Sequence, residues 1–277
     1  MEIEVRQVGI IGTGLLGCQI TQFVVQHGFN VILKSRSKES LKKAIERIKS
    51  SLLKDISLEE TDKIIKKIKG TTKFSDLSNA DIVIECVIED KKAKKEVFKE
   101  LSDICSHNTI LATNTSSLSI NDLALVVSNP SRAIGTHFFN PVKRTRLVEI
   151  IRAKNTSQET VQIVTNFMRK LGKTTIVIED TPGFIVNRLL FSMINEAGYL
   201  LEKGGISVQE IDTAMKLGTN IPMGPFEIAD FVGIDVTYKI LKELNLSLNF
   251  KEPAKIFEEK IKSCKLGRKT KEGFYKY

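Results

Sequence analysis

Up to residue 180, hydrophobic positions fall into short β-branched runs separated by longer stretches of helical period. Residues 8–11, 31–33, 81–87 and 109–112 have the near-continuous apolar character of parallel strands buried on both faces. Residues 132–139, 147–151 and 174–178 extend the series, and residues 15–27, 91–104 and 157–171 carry apolar side chains at helical spacing between them. This alternation predicts a doubly wound α/β sheet. One segment breaks the rhythm. Residues 38–70 are lysine-rich and helical in period, and Ser57-Leu58-Glu59-Glu60 fits a helix start in their middle. A helical hairpin inserted there is more than a crossover requires, and it either reaches over a ligand or is an ordinary long excursion.

After Asp180-Thr181-Pro182-Gly183 the pattern turns helical throughout, over residues 184–203, 208–217, 224–229, 236–244 and 253–264. The boundary falls between 181 and 182, with residues 1–181 forming the α/β domain and residues 182–277 an all-α domain. Apolar residues such as Phe184, Leu189, Leu190, Phe191 and Met193 suit that second domain to self-association or to an internal core.

Composition narrows the classes. With 277 residues, 42% of them hydrophobic, the chain can fill two cores. No apolar run approaches the roughly 18 residues of a membrane span. The start, Met1-Glu2-Ile3-Glu4-Val5-Arg6, lacks the layout of a secretory signal, so a cytoplasmic protein without membrane association is expected. Cys18, Cys86, Cys105 and Cys264 are scattered and read as free, mostly buried thiols. Three histidines make a histidine-based metal cage a poor reading. The net charge of +9 is spread over helical stretches mixed with Glu and Asp, without an aromatic-interleaved basic block. It describes a solvated surface, or a field that attracts polyphosphate ligands, before it describes a nucleic-acid binder.

Gly12-Thr13-Gly14-Leu15-Leu16-Gly17 matches G-x-G-x-x-G directly after a strand and opens a helix, the context of a Rossmann-type dinucleotide site. Gly12 permits the tight turn, Gly14 admits a pyrophosphate, and Gly17 lets helix and strand pack closely. The second strand continues Lys34-Ser35-Arg36, with no carboxylate before Glu39. An acidic residue at its end would bind both ribose hydroxyls and repel a 2′-phosphate. Ser35 removes that repulsion, and Arg36, with Lys34 or Lys38, can pair with the phosphate. NADP(H) is therefore the expected preference, with NAD(H) the alternative.

Strand ends in such a sheet border the ligand crevice. Thr113-Asn114-Thr115-Ser116-Ser117 and Thr136-His137-Phe138-Phe139-Asn140-Pro141 end two strands there, and Glu149 sits inside the apolar run 147–151. A buried carboxylate needs a partner, and His137 is the obvious one. An imidazole backed by a carboxylate takes up and returns a hydroxyl proton, although a satisfied core histidine facing a structural glutamate has the same spacing.

These blocks, together with Pro182-Gly183-Phe184-Ile185-Val186-Asn187-Arg188, Met223-Gly224-Pro225 and the ending Leu266-Gly267-Arg268-Lys269-Thr270, resemble the L-3-hydroxyacyl-CoA dehydrogenase family. The bacterial 3-hydroxybutyryl-CoA members are the nearest match, over essentially the whole chain. The resemblance implies a Rossmann domain followed by a helical domain that forms a homodimer, and an acyl-CoA substrate oxidised or formed at its 3-hydroxyl. His137 matches the family's general base or acid and Glu149 its orienting carboxylate. Ser116 matches the hydroxyl that bonds the substrate oxygen, and Asn187 the amide that positions substrate and histidine. Asn114 and Asn140 fall on the cofactor side, Glu89 and Lys94 where the family contacts the nicotinamide-side ribose, and Ser51 and Lys54 near its CoA contacts. Two departures stand out. Ser35 replaces the usual acid, and Val142-Lys143-Arg144-Thr145-Arg146 carries more cations than the family's mostly apolar stretch. A hydroxyacid dehydrogenase without a CoA requirement and a catalytically silent dinucleotide-binding protein are the competing readings.

Overall fold

β1 (Gln7–Ile11), β2 (Asn30–Lys34), β4 (Ile82–Glu85) and β5 (Ile110–Thr113) form the middle of one sheet, and Val8, Ile10, Val31, Leu33, Ile82, Ile84 and Ile110 within them are fully buried. Each such side chain contributes about 1.5–3 kcal/mol by leaving water, enough to fix strands with few polar positions to orient them. The computed structural model describes residues 4–277, so Met1, Glu2 and Ile3 of the N-terminal stretch lie outside the described residues. The chain divides into two units, residues 1–181 and 182–277.

With β3 (Ile68–Thr71), β6 (Ala133–Phe138), β7 (Leu147–Arg152) and β8 (Thr174–Glu179), the first unit's sheet has eight strands in the order β3-β2-β1-β4-β5-β6-β7-β8. The order reverses between β1 and β4, the position where ligands bind in open α/β sheets. Helices α1 (Leu15–Gln26), α4 (Lys91–Ile104) and α6 (Gln158–Lys170) lie at the expected places. Three features differ from the expected pattern. β7 runs antiparallel to β6, whereas the strand series read as parallel throughout. A short helix, α5 (Ile120–Ala124), follows β5. The lysine-rich segment is the expected pair of helices, α2 (Lys38–Leu52) and α3 (Leu58–Ile65), but it ends in a parallel strand, β3, that was not expected. It is therefore the crossover to β3, lengthened by a second helix. Ala44, Ile48 and Leu52 recur every four residues and bury α2, and the Ser57–Glu60 capping box starts α3.

The second unit contains α7 (Val186–Glu202), α8 (Val208–Thr219), α9 (Pro225–Val232), α10 (Ile234–Leu248) and α11 (Lys255–Lys262). α7 starts two residues later than its apolar pattern suggests, because Gly183 and Phe184 take positive φ angles of 73° and 51°. Phe191, Ile194, Leu241 and Phe257 form the core, and the last residues are tied down by Asp230, which is 1% exposed. Its carboxylate accepts from the backbone of Phe274 and Tyr275, each at 2.9 Å, and from the Tyr277 hydroxyl at 3.0 Å. All four cysteines are free; Cys18 is buried, Cys86 and Cys105 are half-buried and Cys264 is exposed, so fewer are buried than expected. No helix among the described residues is long and apolar enough to cross a membrane.

Candidate active site

The G-x-G-x-x-G turn lies at the carboxyl end of β1, beside β4. Gly12 has a φ of 114°, and a Cβ there would stand 2.4 Å from the Cys86 carbonyl; a Cβ on Gly17 would stand 2.0 Å from the Gly12 carbonyl. The chain's own packing therefore requires both residues to be glycine. Gly14 differs, because no protein atom lies within 4 Å of where its Cβ would be. It is exposed at the N-cap of α1, followed by exposed Leu15 and half-buried Leu16. A bare helix N-terminus of this kind, presenting unpaired N–H groups and the positive end of its dipole, fits a dinucleotide's pyrophosphate.

Ser35, at the end of β2, is 3% exposed, with its hydroxyl 3.2 Å from that of Thr13. Arg36 is exposed. Lys34, one of its expected helpers, is turned away: its ammonium sits 3.5 Å over the Phe74 ring, and burial pulls its pKa down. Lys38 is exposed as the first residue of α2, behind the Ser37 cap.

The antiparallel pairing of β6 and β7 places His137 directly opposite Glu149 on one face of the sheet. His137 Nδ1 is 2.7 Å from Glu149 Oε2, the glutamate is fully buried, and the Phe139 ring packs on the imidazole at 4.4 Å. A carboxylate at Nδ1 fixes the tautomer and orientation of the ring, an arrangement that suits the imidazole to proton exchange. Asn114 Oδ1 accepts from the Phe138 backbone at 2.9 Å, so the end of β5 holds the strand next to His137.

Ser116 lies in the turn after β5, and that turn is wrapped around Glu89. Glu89 Oε1 accepts from the backbone of Ser116 at 2.9 Å and of Ser117 at 3.1 Å, from the Ser116 hydroxyl at 3.4 Å, and from the Thr115 hydroxyl. Lys94 is 1% exposed, with its ammonium 2.8 and 3.0 Å from the two Glu85 oxygens and 3.3 Å from Glu89 Oε2. The two groups expected to meet a ribose, Lys94 and Glu89, thus pair with each other and with the turn after β5. Burial alone would raise the Glu89 pKa, but Lys94, Thr115 and Ser116 more than offset it and hold the group ionised below the ordinary carboxylate range.

Asn140 is exposed after β6, and its amide oxygen accepts from Gln19 at 3.0 Å while Gln19 Oε1 accepts from the Val142 backbone at 2.9 Å. Buried Lys173 completes the loop's support, donating to the carbonyls of Val142 and of Thr145 (2.7 Å) and lying 3.9 Å over the Phe23 ring. Beside this loop runs a groove of about 410 Å³ lined by Gln19, Phe23, Ser51, Pro141, Lys143 and Arg144. Lys54 lies exposed just past α2, and its neighbour Asp55 pairs with Lys143 at 2.8 Å. Asn187, the second residue of α7, is the expected site residue carried by the second unit.

Glu85, Thr115, Gln19 and Lys173 were not picked out by sequence reasoning. Glu85 carried a readable signal, a carboxylate inside an apolar strand, the same sign that drew attention to Glu149.

Residues 7–181 match the 3-hydroxyacyl-CoA dehydrogenase NAD-binding domain, and residues 183–277 match the 3-hydroxyacyl-CoA dehydrogenase C-terminal domain. A probable 3-hydroxybutyryl-CoA dehydrogenase of Bacillus subtilis (strain 168) is 39% identical over 99% of this chain and 98% of its own length. The mitochondrial hydroxyacyl-coenzyme A dehydrogenase of Homo sapiens is 39% identical over 100% of this chain and 92% of its own. The crystal structure of (S)-3-hydroxybutyryl-CoA dehydrogenase PaaH1 from Ralstonia eutropha superposes with a TM-score of 0.95 at 39% identity, covering 99% of each chain.

The glycines predict separable effects. Gly17→Ala should lower the melting temperature, because the new methyl has nowhere to go. Gly14→Ala should leave melting close to wild type and weaken dinucleotide binding by about tenfold or more, measured by calorimetric titration. A Gly14→Ala protein with unaltered affinity would contradict the assignment of this turn.

Proposed function

The chain belongs to the 3-hydroxyacyl-CoA dehydrogenase family and is a nicotinamide-dependent dehydrogenase, and from that premise we propose that it interconverts (S)-3-hydroxybutyryl-CoA and acetoacetyl-CoA. The observation that carries this reading is the buried His137–Glu149 pair, which joins the carboxyl end of β6 to the amino-terminal half of β7. A bound nicotinamide supplies the hydride donor or acceptor. In the reducing direction, His137 Nε2 gives its proton to the oxygen developing negative charge at C3, and Glu149 stabilises the imidazole in the orientation that makes this possible. The Ser116 hydroxyl donates a hydrogen bond to the same oxygen in place of its 3.4 Å contact with Glu89, and that bond strengthens as charge develops. In the oxidising direction His137 takes that proton back. The amide of Asn187 is assigned the positioning of substrate and histidine by its match to the family.

The groove beside Asn140 supports a CoA thioester over a free hydroxyacid. Ser51 and two cations, Lys143 and Arg144, line it, and phosphates are what such cations recognise. Ser35 and exposed Arg36 favour NADP(H) over NAD(H), since the end of β2 carries no carboxylate to repel a 2′-phosphate. On the helical unit, Leu189, Leu217, Phe231 and Leu246 are all more than half exposed, which supports burial in a homodimer. Sedimentation equilibrium should then give twice the chain mass, and a monomer at all concentrations would remove that reading.

Two substitutions test the chemistry. His137→Ala should lower kcat with acetoacetyl-CoA by about 10²- to 10⁴-fold while leaving dinucleotide affinity intact, and near-wild-type turnover would overturn the assignment. Ser35→Asp should shift the kcat/KM ratio from NADPH toward NADH by at least about tenfold; an unchanged ratio would show that Ser35 does not set cofactor choice.

A further inference from the structure

Lys173 has no part in the chemistry described above, yet it is a buried cation. It is 5% exposed, and among the described residues no acidic group offsets the burial that pulls its pKa down. A buried ammonium without a counter-charge is costly, and an apolar side chain would fill the same space without that cost. Its contacts show what the charge holds. The backbone of Lys173 is tied to the end of α6, where its N–H donates to the Met168 carbonyl at 3.0 Å. From that anchor the ammonium donates to the carbonyls of Val142 and Thr145 and lies over the Phe23 ring of α1.

Residues 143 and 144 are the stretch between the two carbonyls so held. The Pro141 carbonyl accepts from the Arg144 and Thr145 backbone N–H groups, both at 3.0 Å, and the Thr174 N–H donates to the Arg146 carbonyl at 2.8 Å. The turn is therefore closed on itself, and one ammonium pins both of its ends. Lys143 and Arg144 are exposed on it and line the groove with Pro141 and Ser51. The pair of Lys143 with Asp55 is largely exposed, so a phosphate competes for that ammonium. We propose that Lys173 is a positioning residue for the acyl-CoA, setting the turn that presents Lys143 and Arg144 to the phosphates. The proposal rests on the reading of this groove given under Proposed function. Gln19 holds Asn140 and the first part of the connection separately, so the cofactor side keeps its place without Lys173.

The test compares two substrates on the full chain, acetoacetyl-CoA and acetoacetyl-pantetheine, which lacks the phosphates and adenosine of CoA. The wild type should show the lower KM for acetoacetyl-CoA. Lys173→Met keeps the length of the side chain and removes its donors and charge. It should raise the KM for acetoacetyl-CoA by about tenfold and leave kcat, the cofactor KM and the KM for the pantetheine thioester within about twofold. Lys143→Ala/Arg144→Ala should show the same selective rise, and Lys173→Met should add little on that background. General loosening of the fold would lower the melting temperature without separating the two thioesters. If Lys173→Met leaves the KM for acetoacetyl-CoA unaltered, raises it equally for both thioesters, or multiplies with the double substitution, Lys173 does not position this turn and the groove reading stands. If the wild type treats the thioesters alike, or Lys143→Ala/Arg144→Ala leaves the KM unaltered, the groove reading fails and the proposal with it. Should Lys173→Met fail to fold, Lys173→Gln, shorter and uncharged but still polar, decides by the same criteria.

Discussion

Glu149 lies fully buried in β7, and burying a carboxylate costs several kcal/mol unless a well-placed partner receives it. That single constraint organises one side of the sheet. The partner is His137, and the two can face each other only if their strands run antiparallel in the register that sets them opposite. The tight connection over residues 139–146 makes that register, and Gln19 and Lys173 hold the connection in shape from two sides. An imidazole whose tautomer and orientation are fixed follows from the same geometry, so an arrangement required for packing also suits proton transfer.

The other half of the site is built on the same principle at a second buried carboxylate. Glu85 ends β4 next to the point where the strand order reverses, and Lys94 neutralises it while reaching on to Glu89. The turn that carries Ser116 is moulded on Glu89. The dinucleotide turn lies alongside, its Gly12 packed against the Cys86 carbonyl just past Glu85. Three strand ends thus meet at one edge through buried charges and close backbone contacts, which places a glycine-lined helix N-terminus beside the Ser116 turn on a rigid frame. Proton transfer and hydrogen bonding demand that kind of fixity.

Much of this was legible in the sequence for physical reasons. Buried parallel strands are nearly all apolar, so the sheet announced itself. The G-x-G-x-x-G turn was readable because two of its glycines have no room for a Cβ. Glu149 stood out because charge inside an apolar run demands explanation. What was missed also has causes. β3, Ile-Lys-Gly-Thr, is too short and too polar to show a strand's pattern beside two helices. The reversed direction of β7 leaves no trace in its own residues, although residues 139–146 are too few for a parallel crossover, which needs about a dozen or more. The bonds that Lys94 and Glu89 make could not be read from spacing, because they join the end of β4 to the turn after β5, with Glu89 and Ser116 27 residues apart. Lys34 was expected near a phosphate, and only the fold reveals Phe74 beneath its ammonium.

The central claim is that the buried His137–Glu149 pair serves the reduction or oxidation of a 3-oxygen on an acyl-CoA. Its most direct test is to mix the intact chain with acetoacetyl-CoA and a reduced nicotinamide, NADPH and NADH in turn, and to follow the loss of the reduced cofactor's absorbance. The account predicts rapid oxidation that depends on the thioester, faster with NADPH. Absence of oxidation with either cofactor, in protein shown to bind the dinucleotide, would contradict it.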